Sequence, residues 1–102
     1  MIGYVESTQN SIRGNHYHPV QTQKCLLIKG KYISVTKDLT DPDSIIETRL
    51  INEGDLSTIP PNVAHTMVFL EDSIFLNLVN GERDHKNYGM THTLKYDLVD
   101  EN

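Results

Sequence analysis

Residues 11–18 read SIRGNHYH, and this stretch carries the first sign of the fold and of a functional site. In an extended strand, side chains two positions apart project from the same face, roughly 7 Å apart along the chain. His16 and His18 are therefore predicted to point into one space, where they could chelate a metal or flank a substrate. Two surface histidines in a loop are the competing interpretation, so the pair needs support from elsewhere in the chain.

The surrounding sequence predicts an all-β chain. Short apolar and β-branched runs alternate with turn signals, and no long stretch has helical periodicity. We expect at most one short strand in residues 1–11 and further strands at 23–29, 31–36, 44–51, 55–59, 65–70, 73–79 and 93–99. Gly30 lies between two of these runs and predicts a tight hairpin. Regularly spaced short strands are typical of a sandwich or barrel.

Length and composition narrow the classes of protein and of partner. The 102 residues suffice for one domain, which we place at residues 1–102. A formal net charge of −5 argues against nucleic acid as a partner. Apolar runs of only a few residues argue against a membrane span or a secretion signal. Because Cys25 is the one cysteine, no internal disulfide can form, and we expect a cytoplasmic protein.

A second informative segment runs from Gly54 to His65 and reads GDLSTIPPNVAH. Together the two segments resemble the cupin superfamily, whose motifs are G-x5-H-x-H-x3,4-E-x6-G and G-x5-P-x-G-x2-H-x3-N. The matching positions are His16, His18, position 23, Gly30, Gly54, Pro60 and His65. The resemblance implies a single cupin domain, which is a jelly-roll barrel also described as a double-stranded β-helix. It also implies that His65 joins the histidine pair inside the barrel.

The chain departs from the cupin motifs at four positions. Asn10 occupies the place of the opening glycine, and Asn62 occupies that of the second-motif glycine. Asparagine tolerates the left-handed backbone that such turns use. Phe69 stands at the place of the final asparagine, and Gln23 at that of the glutamate ligand. A glutamine can bind a metal through its carbonyl oxygen but adds no charge, so we expect weaker metal binding than with a carboxylate.

The resemblance supports two interpretations of the histidines. In the first, His16, His18, Gln23 and His65 hold a divalent transition metal such as Zn, Fe or Ni. In the second, His18 or His16 transfers a proton without a metal. The run from Arg13 to His18 is similar to the R-G-x-H-x-H run of cupins that act on nucleotide-linked keto-sugars. These include the dTDP-sugar 3,4-ketoisomerases, the WxcM-like proteins and the cupin part of capsular polysaccharide enzymes.

This similarity implies an isomerase or epimerase of surface polysaccharide biosynthesis, with a nucleotide-sugar substrate and no nucleotide cofactor. Arg13 could clamp the diphosphate bidentately. Lys24 and Tyr88 are further candidates for substrate binding, although Lys24 should face away from Gln23 and Tyr88 lies in a polar loop, where solvent exposure is the alternative. Met67 and Phe69 alternate with His65 and are predicted to face the barrel interior.

Other interpretations stay open from the sequence. A metal-dependent cupin oxygenase or lyase could act on a small organic acid, and a non-catalytic cupin module could bind a sugar. The short segment before the histidines leaves a sheet edge to be paired, which favours a homodimer. The chain could instead be the C-terminal domain of a longer protein.

Overall fold

The computed structural model describes residues 2–80 and 94–99, which contain strands and no helix. Accordingly, this part of the chain has no helix that could cross a membrane. The strands are β1 (Ile2–Ser7), β2 (Ile12–Tyr17), β3 (Thr22–Lys29), β4 (Lys31–Asp38), β5 (Glu47–Asn52), β6 (Leu56–Ile59), β7 (Val63–Phe69), β8 (Ser73–Asn80) and β9 (Leu94–Lys95). The predicted strands are found with ends shifted by a few residues, except that the last is reduced to β9.

The strands form two antiparallel sheets. One sheet has the order β1-β8-β3-β6, and the other has the order β5-β4-β7-β2-β9. Consecutive strands often lie in different sheets, as in a jelly roll, so that the chain wraps back and forth around one interior. The expected all-β class is confirmed.

The core lies between the inner faces of the two sheets, at the end away from the histidines. Residues of β3, β4, β5, β7 and β8 supply it from one face of each strand, because successive side chains of a strand point to opposite faces. Its buried members are Cys25, Leu27, Tyr32, Ile51, Met67, Phe69 and Phe75. Met67 and Phe69 therefore face the interior as predicted.

The predicted hairpin at Gly30 is wrong. β3 and β4 flank Gly30 but belong to different sheets, so this residue forms a corner where the chain crosses the sandwich. Its φ of 102° lies in the left-handed region, and a Cβ there would lie 2.7 Å from the Asp72 carbonyl oxygen. The glycine is needed for this close crossing rather than for a two-residue turn.

The outer face of the five-stranded sheet is covered in part by residues 96–99, which Asn15 holds in place. The Asn15 side chain is 2% exposed. Its Oδ1 accepts hydrogen bonds from the Leu98 and Val99 amides at 2.9 and 3.0 Å, and its Nδ2 donates to the Val99 carbonyl at 2.9 Å. Thr66 Oγ1 also donates to Oδ1, at 2.6 Å. One buried amide thereby joins the C-terminal segment to β2 and β7.

Candidate functional site

Three histidines that are distant in sequence converge on the inner side of the sandwich. His16 lies on β2, His18 follows the end of β2 and His65 lies on β7. The His16 ring centroid is 4.9 Å from that of His18 and 4.5 Å from that of His65, and the His18 and His65 rings stack at 5.2 Å. Each ring offers one nitrogen such that the three atoms lie within 4.8 Å of one another. We call these three residues the histidine cluster.

A β-bulge in β2 directs His16 inward. Gly14 pairs with Thr66 and His16 pairs with His65, so Asn15 is the extra residue between them. Gly14 and Asn15 both have left-handed backbones, with φ of 99° and 55°. A Cβ on Gly14 would lie 2.7 Å from the His65 carbonyl oxygen, so the absent side chain lets β2 approach β7 beside the cluster.

His65 presents a buried nitrogen with no partner. Its Nδ1 donates to the Val63 carbonyl at 3.2 Å, which leaves the lone pair on Nε2. That Nε2 is buried and forms no hydrogen bond to any residue of 2–80 or 94–99. Burial, followed by the neighbouring His16, lowers the pKa of His65 to about 3, so its ring is neutral at pH 7.

His18 is oriented by Gln23, which lies on β3 in the opposite sheet. The Gln23 carbonyl oxygen accepts a hydrogen bond from His18 Nε2 at 2.9 Å, and both side chains are buried. The His18 carbonyl accepts from the Asn62 amide at 2.9 Å. Asn62 has φ of 63°, as expected of the asparagine at the motif's glycine position. These contacts fix the end of β2 against the turn that precedes β7.

His16 is less buried than the other two histidines. Burial, followed by the neighbouring His18, lowers the pKa of His16 to about 4. The imidazoles of His16 and His65 are therefore neutral near pH 7, with lone pairs that can accept a proton or bind a metal.

Two rows of paired residues cross the inner face of the five-stranded sheet at this end. Directly paired residues of neighbouring strands share a face. The histidine row runs through Glu47 (β5), Thr36 (β4), His65 (β7) and His16 (β2). The arginine row runs beside it through Arg49 (β5), Ser34 (β4), Met67 (β7) and Arg13 (β2). An arginine therefore stands at each end of the row adjacent to the histidines.

Arg13 lies on the face that carries the histidines, but two of its donors are already used. Its Nε donates to Ser7 Oγ, and its Nη2 donates to the Glu6 carbonyl at 3.0 Å. These bonds tie β2 to β1 of the other sheet. The residue is exposed, and its remaining N–H groups are available for an anion.

The other two predicted substrate contacts are not brought to the cluster by the described residues. Lys24 is exposed on the outer face of β3, whereas its neighbours Gln23 and Cys25 are buried on the inner face. Strand alternation thus separates Lys24 from the histidines, as its sequence position indicated. Tyr88 lies outside the described residues.

The sequence alone did not place two polar residues that lie on the inner faces of the sheets, Arg49, whose side chain is exposed, and Asn77. Arg49 could not be placed because its row depends on the pairing of β5 with β4. Asn77 pairs with Cys25 and Gly3 on the inner face of the four-stranded sheet. Its Oδ1 is buried without a hydrogen-bond partner among the residues that the structure describes. A lone asparagine in the apolar strand 73–79 was the signal that could have found it.

The residues of the cluster fit a metal ion of the imidazole-binding class. Metal-binding histidines usually donate their second ring nitrogen to a carbonyl or carboxylate, and His65 donates to the Val63 carbonyl in this way. The buried Nε2 of His65, which has no hydrogen-bond partner among the described residues, then keeps its lone pair available for a metal. Gln23 adds an oxygen within 2.9 Å of His18 Nε2. Nitrogen-rich sets of this kind suit Zn, Fe, Ni or Cu better than Mg or Ca.

Comparison of the structure with solved structures shows that the chain has the cupin fold found in nucleotide-sugar epimerases and isomerases. The capsular polysaccharide assembling protein CapF from Staphylococcus aureus matches with a TM-score of 0.79 at 20% identity, over 95% of this chain and 28% of CapF. The dTDP-4-dehydrorhamnose 3,5-epimerase from Sulfolobus tokodaii matches with a TM-score of 0.74 at 24% identity, over 91% of this chain and 55% of the epimerase.

A third match is the 3,4-ketoisomerase QdtA from Thermoanaerobacterium thermosaccharolyticum, in complex with TDP-4-keto-6-deoxyglucose. Its TM-score is 0.72 at 18% identity, over 93% of this chain and 64% of QdtA. The chain thus spans about a quarter of CapF and less than two thirds of the two enzymes. No family model and no curated protein sequence matches the chain. At these identities the likeness establishes the fold alone.

Proposed function

We propose that this chain is an isomerase or epimerase that acts on a nucleotide-linked keto-sugar in surface polysaccharide biosynthesis. The observation that carries the proposal is the convergence of three imidazoles inside a cupin barrel, bounded by arginines in the adjacent row. The names of CapF, the 3,5-epimerase and QdtA support this reaction class, because each of these structural neighbours is described by sugar-nucleotide or polysaccharide chemistry.

The reaction needs a base beside a carbon that is acidified by the neighbouring ketone. In our proposal His18 or His16 removes that proton, and the electron pair moves onto the ketone oxygen as an enolate. Return of a proton to the other face gives epimerisation, and return at another carbon with shift of the carbonyl gives isomerisation. Neither outcome needs an oxidant or reductant. Gln23 supports the assignment to His18 because it fixes the orientation of that ring.

His16, His18, Gln23 and His65 are the proposed ligands of a divalent transition metal. When bound, the metal would supply Lewis-acid stabilisation for negative charge on the sugar oxygen. The side chains of this chain orient the substrate and move the proton in either case. His65 is the most buried of the three histidines. Because so little of its side chain is exposed, it is better suited to a ligand role than to proton exchange with the substrate.

Arg13 is the proposed contact for the diphosphate. Its guanidinium is held by Ser7 and Glu6, which fixes its orientation while leaving N–H donors for a phosphate oxygen. Lys24 has no support from its position on the outer face. Tyr88 remains a proposed contact from the sequence alone.

Deuterium exchange tests the proposal most directly. The protein is incubated with TDP-4-keto-6-deoxyglucose in D₂O, and proton NMR follows deuterium entry beside the ketone together with any new sugar product. We expect exchange with the wild type and a loss of at least about 100-fold in His18→Asn or His16→Asn. Lys29→Gln, an exposed charge at the far end of β3, serves as the control and should keep the wild-type rate.

Absence of exchange in the wild type, with the sugar nucleotide shown to bind, would contradict the catalytic proposal and favour a sugar-binding module. A second candidate function, a metal-dependent oxygenase or lyase on a small organic acid, is favoured by the buried lone pair of His65. Stoichiometric iron in the purified protein and oxygen uptake on addition of an organic acid would support it instead.

A homodimer in the cytoplasm is also proposed. β1 is an edge strand of the four-stranded sheet, and Ile2 and Tyr4 are exposed on it. Pairing this edge with a second copy would remove an open strand edge. Light scattering on the purified protein tests the dimer, and a monomer at micromolar concentration would contradict it.

A further inference from the structure

A cavity of about 540 Å³ opens between the edge strands β5 and β6, on the opposite flank of the barrel from Arg13. This volume is in the range of small-molecule sites. Its walls include Ser34, Thr36 and Arg49 from the five-stranded sheet and Ser57 and Ile59 from the other sheet. None of the residues assigned above to catalysis, metal binding or diphosphate binding lines it.

The cavity adjoins the histidine cluster through the pairing of the strands. Thr36 is the direct partner of His65, and Ile59 is the direct partner of Gln23. Paired residues of an antiparallel sheet lie roughly 5 Å apart between Cα atoms. A ligand that fills the cavity would therefore end one strand away from the imidazoles.

Arg49 makes the cavity suitable for an anion. It shares the inner face of β5 with the buried Ile51, and its row partner is Ser34. No carboxylate lies within 4.0 Å of its guanidinium among residues 2–80 and 94–99. The hydroxyls of Ser34, Thr36 and Ser57 add hydrogen-bond donors in the same space.

We infer that this cavity binds the diphosphate-bearing part of the substrate, with Arg49 as the phosphate contact. The inference rests on the proposed function and changes one part of it, the diphosphate contact, from Arg13 to Arg49. The two arginines stand at opposite ends of a row that crosses four strands, so one diphosphate cannot reach both. The sugar lies at the histidine cluster, and the phosphates extend across β4 to β5, toward the β5–β6 opening. From the spacing of neighbouring strands, Arg49 is roughly 10 Å from the His65 strand, a distance that one sugar and one phosphate can bridge.

Glu47 opposes this binding and provides a second test of the same site. It lines the cavity from the histidine row, two residues before Arg49 on the same face of β5. Its carboxylate repels a phosphate, so the phosphates should lie toward Ser34 and Ser57. Removing the charge in Glu47→Gln should tighten anion binding, whereas removing Arg49 should weaken it.

Titration with dTDP and with inorganic pyrophosphate tests the subsite by calorimetry and by amide NMR shifts. We expect dTDP binding to be weakened about tenfold or more in Arg49→Gln, partly restored in Arg49→Lys and tightened in Glu47→Gln. Lys29→Gln, which removes one positive charge elsewhere, is the matched control and should bind as the wild type does. Amide shifts should concentrate at 34–36, 47–49 and 57–59.

The outcomes separate the subsite from the proposed reaction. Unchanged dTDP affinity in Arg49→Gln, or shifts confined to residues 6–13 around Arg13, would overturn the inference while the deuterium exchange assay still supports the reaction. Absence of dTDP binding to the wild type at millimolar concentration would also overturn it. Binding that depends on Arg49 without any exchange of a keto-sugar would keep the subsite and contradict the proposed reaction.

Discussion

Gln23 determines the charge of the proposed metal site. Its carbonyl oxygen contacts His18, and no carboxylate belongs to the cluster among the described residues. A cation held by three neutral rings and an amide keeps its full charge in a partly buried space, which is costly. A carboxylate at position 23 would offset that charge at the same distance from the ring.

Gln23→Glu is therefore expected to tighten the binding of Zn²⁺ by about tenfold, or about 1.4 kcal/mol. Competition with a chromophoric chelator at pH 7 measures the change. Gln23→Leu is the matched control, since it removes the oxygen without adding charge and should weaken binding. Equal affinity of all three proteins would show that position 23 does not face the metal.

Asn15 shows how one residue can serve the site without facing it. Its left-handed backbone creates the bulge that brings His16 to the inner face, and its side chain holds residues 98 and 99 on the outer face. The sequence places an asparagine between Gly14 and His16 but gives no sign of this second role. Its partners lie more than 80 residues away, so only the folded chain reveals them.

At the scale of elements, the contact between β2 and β7 assembles the histidine cluster. At Gly14 the backbone of β2 lies close to that of β7, because a Cβ there would be 2.7 Å from the His65 carbonyl oxygen. Gly14 also has a positive φ. Gly54 also has a positive φ, of 88°, but a Cβ there would meet nothing within 4 Å. Substitutions at the two glycines therefore distinguish the cost of backbone strain alone from the cost of strain combined with steric contact.

Gly14→Ala should destabilise the protein by more than about 2 kcal/mol, because left-handed strain of roughly 1–2 kcal/mol adds to displacement of β2 from β7. Gly54→Ala should show the strain alone, about 1 kcal/mol. Urea denaturation measures both, and Zn²⁺ affinity should fall only in Gly14→Ala. A smaller loss of stability in Gly14→Ala than in Gly54→Ala would contradict the role of the close approach.

The same elements show what local sequence signals can predict. Strand positions were predicted because alternation is a local signal, and the approach of His65 to His16 and His18 was implied by the resemblance to the cupin motifs. The crossing at Gly30 was not predicted, since a glycine between two strands signals a hairpin and a corner alike. Nor was the position of Arg13: the bulge at Asn15 places it on the same face as His16, three residues away, which regular alternation would forbid.

At the scale of the molecule, the barrel divides into a polar end and an apolar end. The polar end carries the histidine cluster, Arg13 and Arg49 on inner faces, whereas the apolar end is closed by Tyr32, Phe69 and Phe75. Rings of Phe69 and Phe75 stack at 5.9 Å. The apolar packing that stabilises the fold therefore lies mainly at the end away from the site. Substitutions at the polar end should disturb this packing less.

Cys25 belongs to the buried core, and its thiol should make the free energy of unfolding depend on pH in the alkaline range. Burial raises the pKa of its thiol from 9.0 to about 11, and burial also raises the pKa of Tyr32, whose hydroxyl contacts the sulfur at 3.7 Å. Because the folded pKa lies above the unfolded one, the thiol favours folding below pH 9 and loses this contribution as pH rises toward 11.

We expect the free energy of unfolding to fall by roughly 1 kcal/mol between about pH 8 and pH 10 through Cys25 alone. Urea denaturation across this range measures the slope, and Cys25→Ala gives the comparison, because it removes the thiol while Tyr32 stays. The variant should be less stable at pH 8 through loss of packing, yet its stability should depend less on pH up to about pH 10. Parallel slopes for the two proteins would contradict the prediction, because they would mean that Cys25 ionises as easily in the folded chain as in the unfolded one.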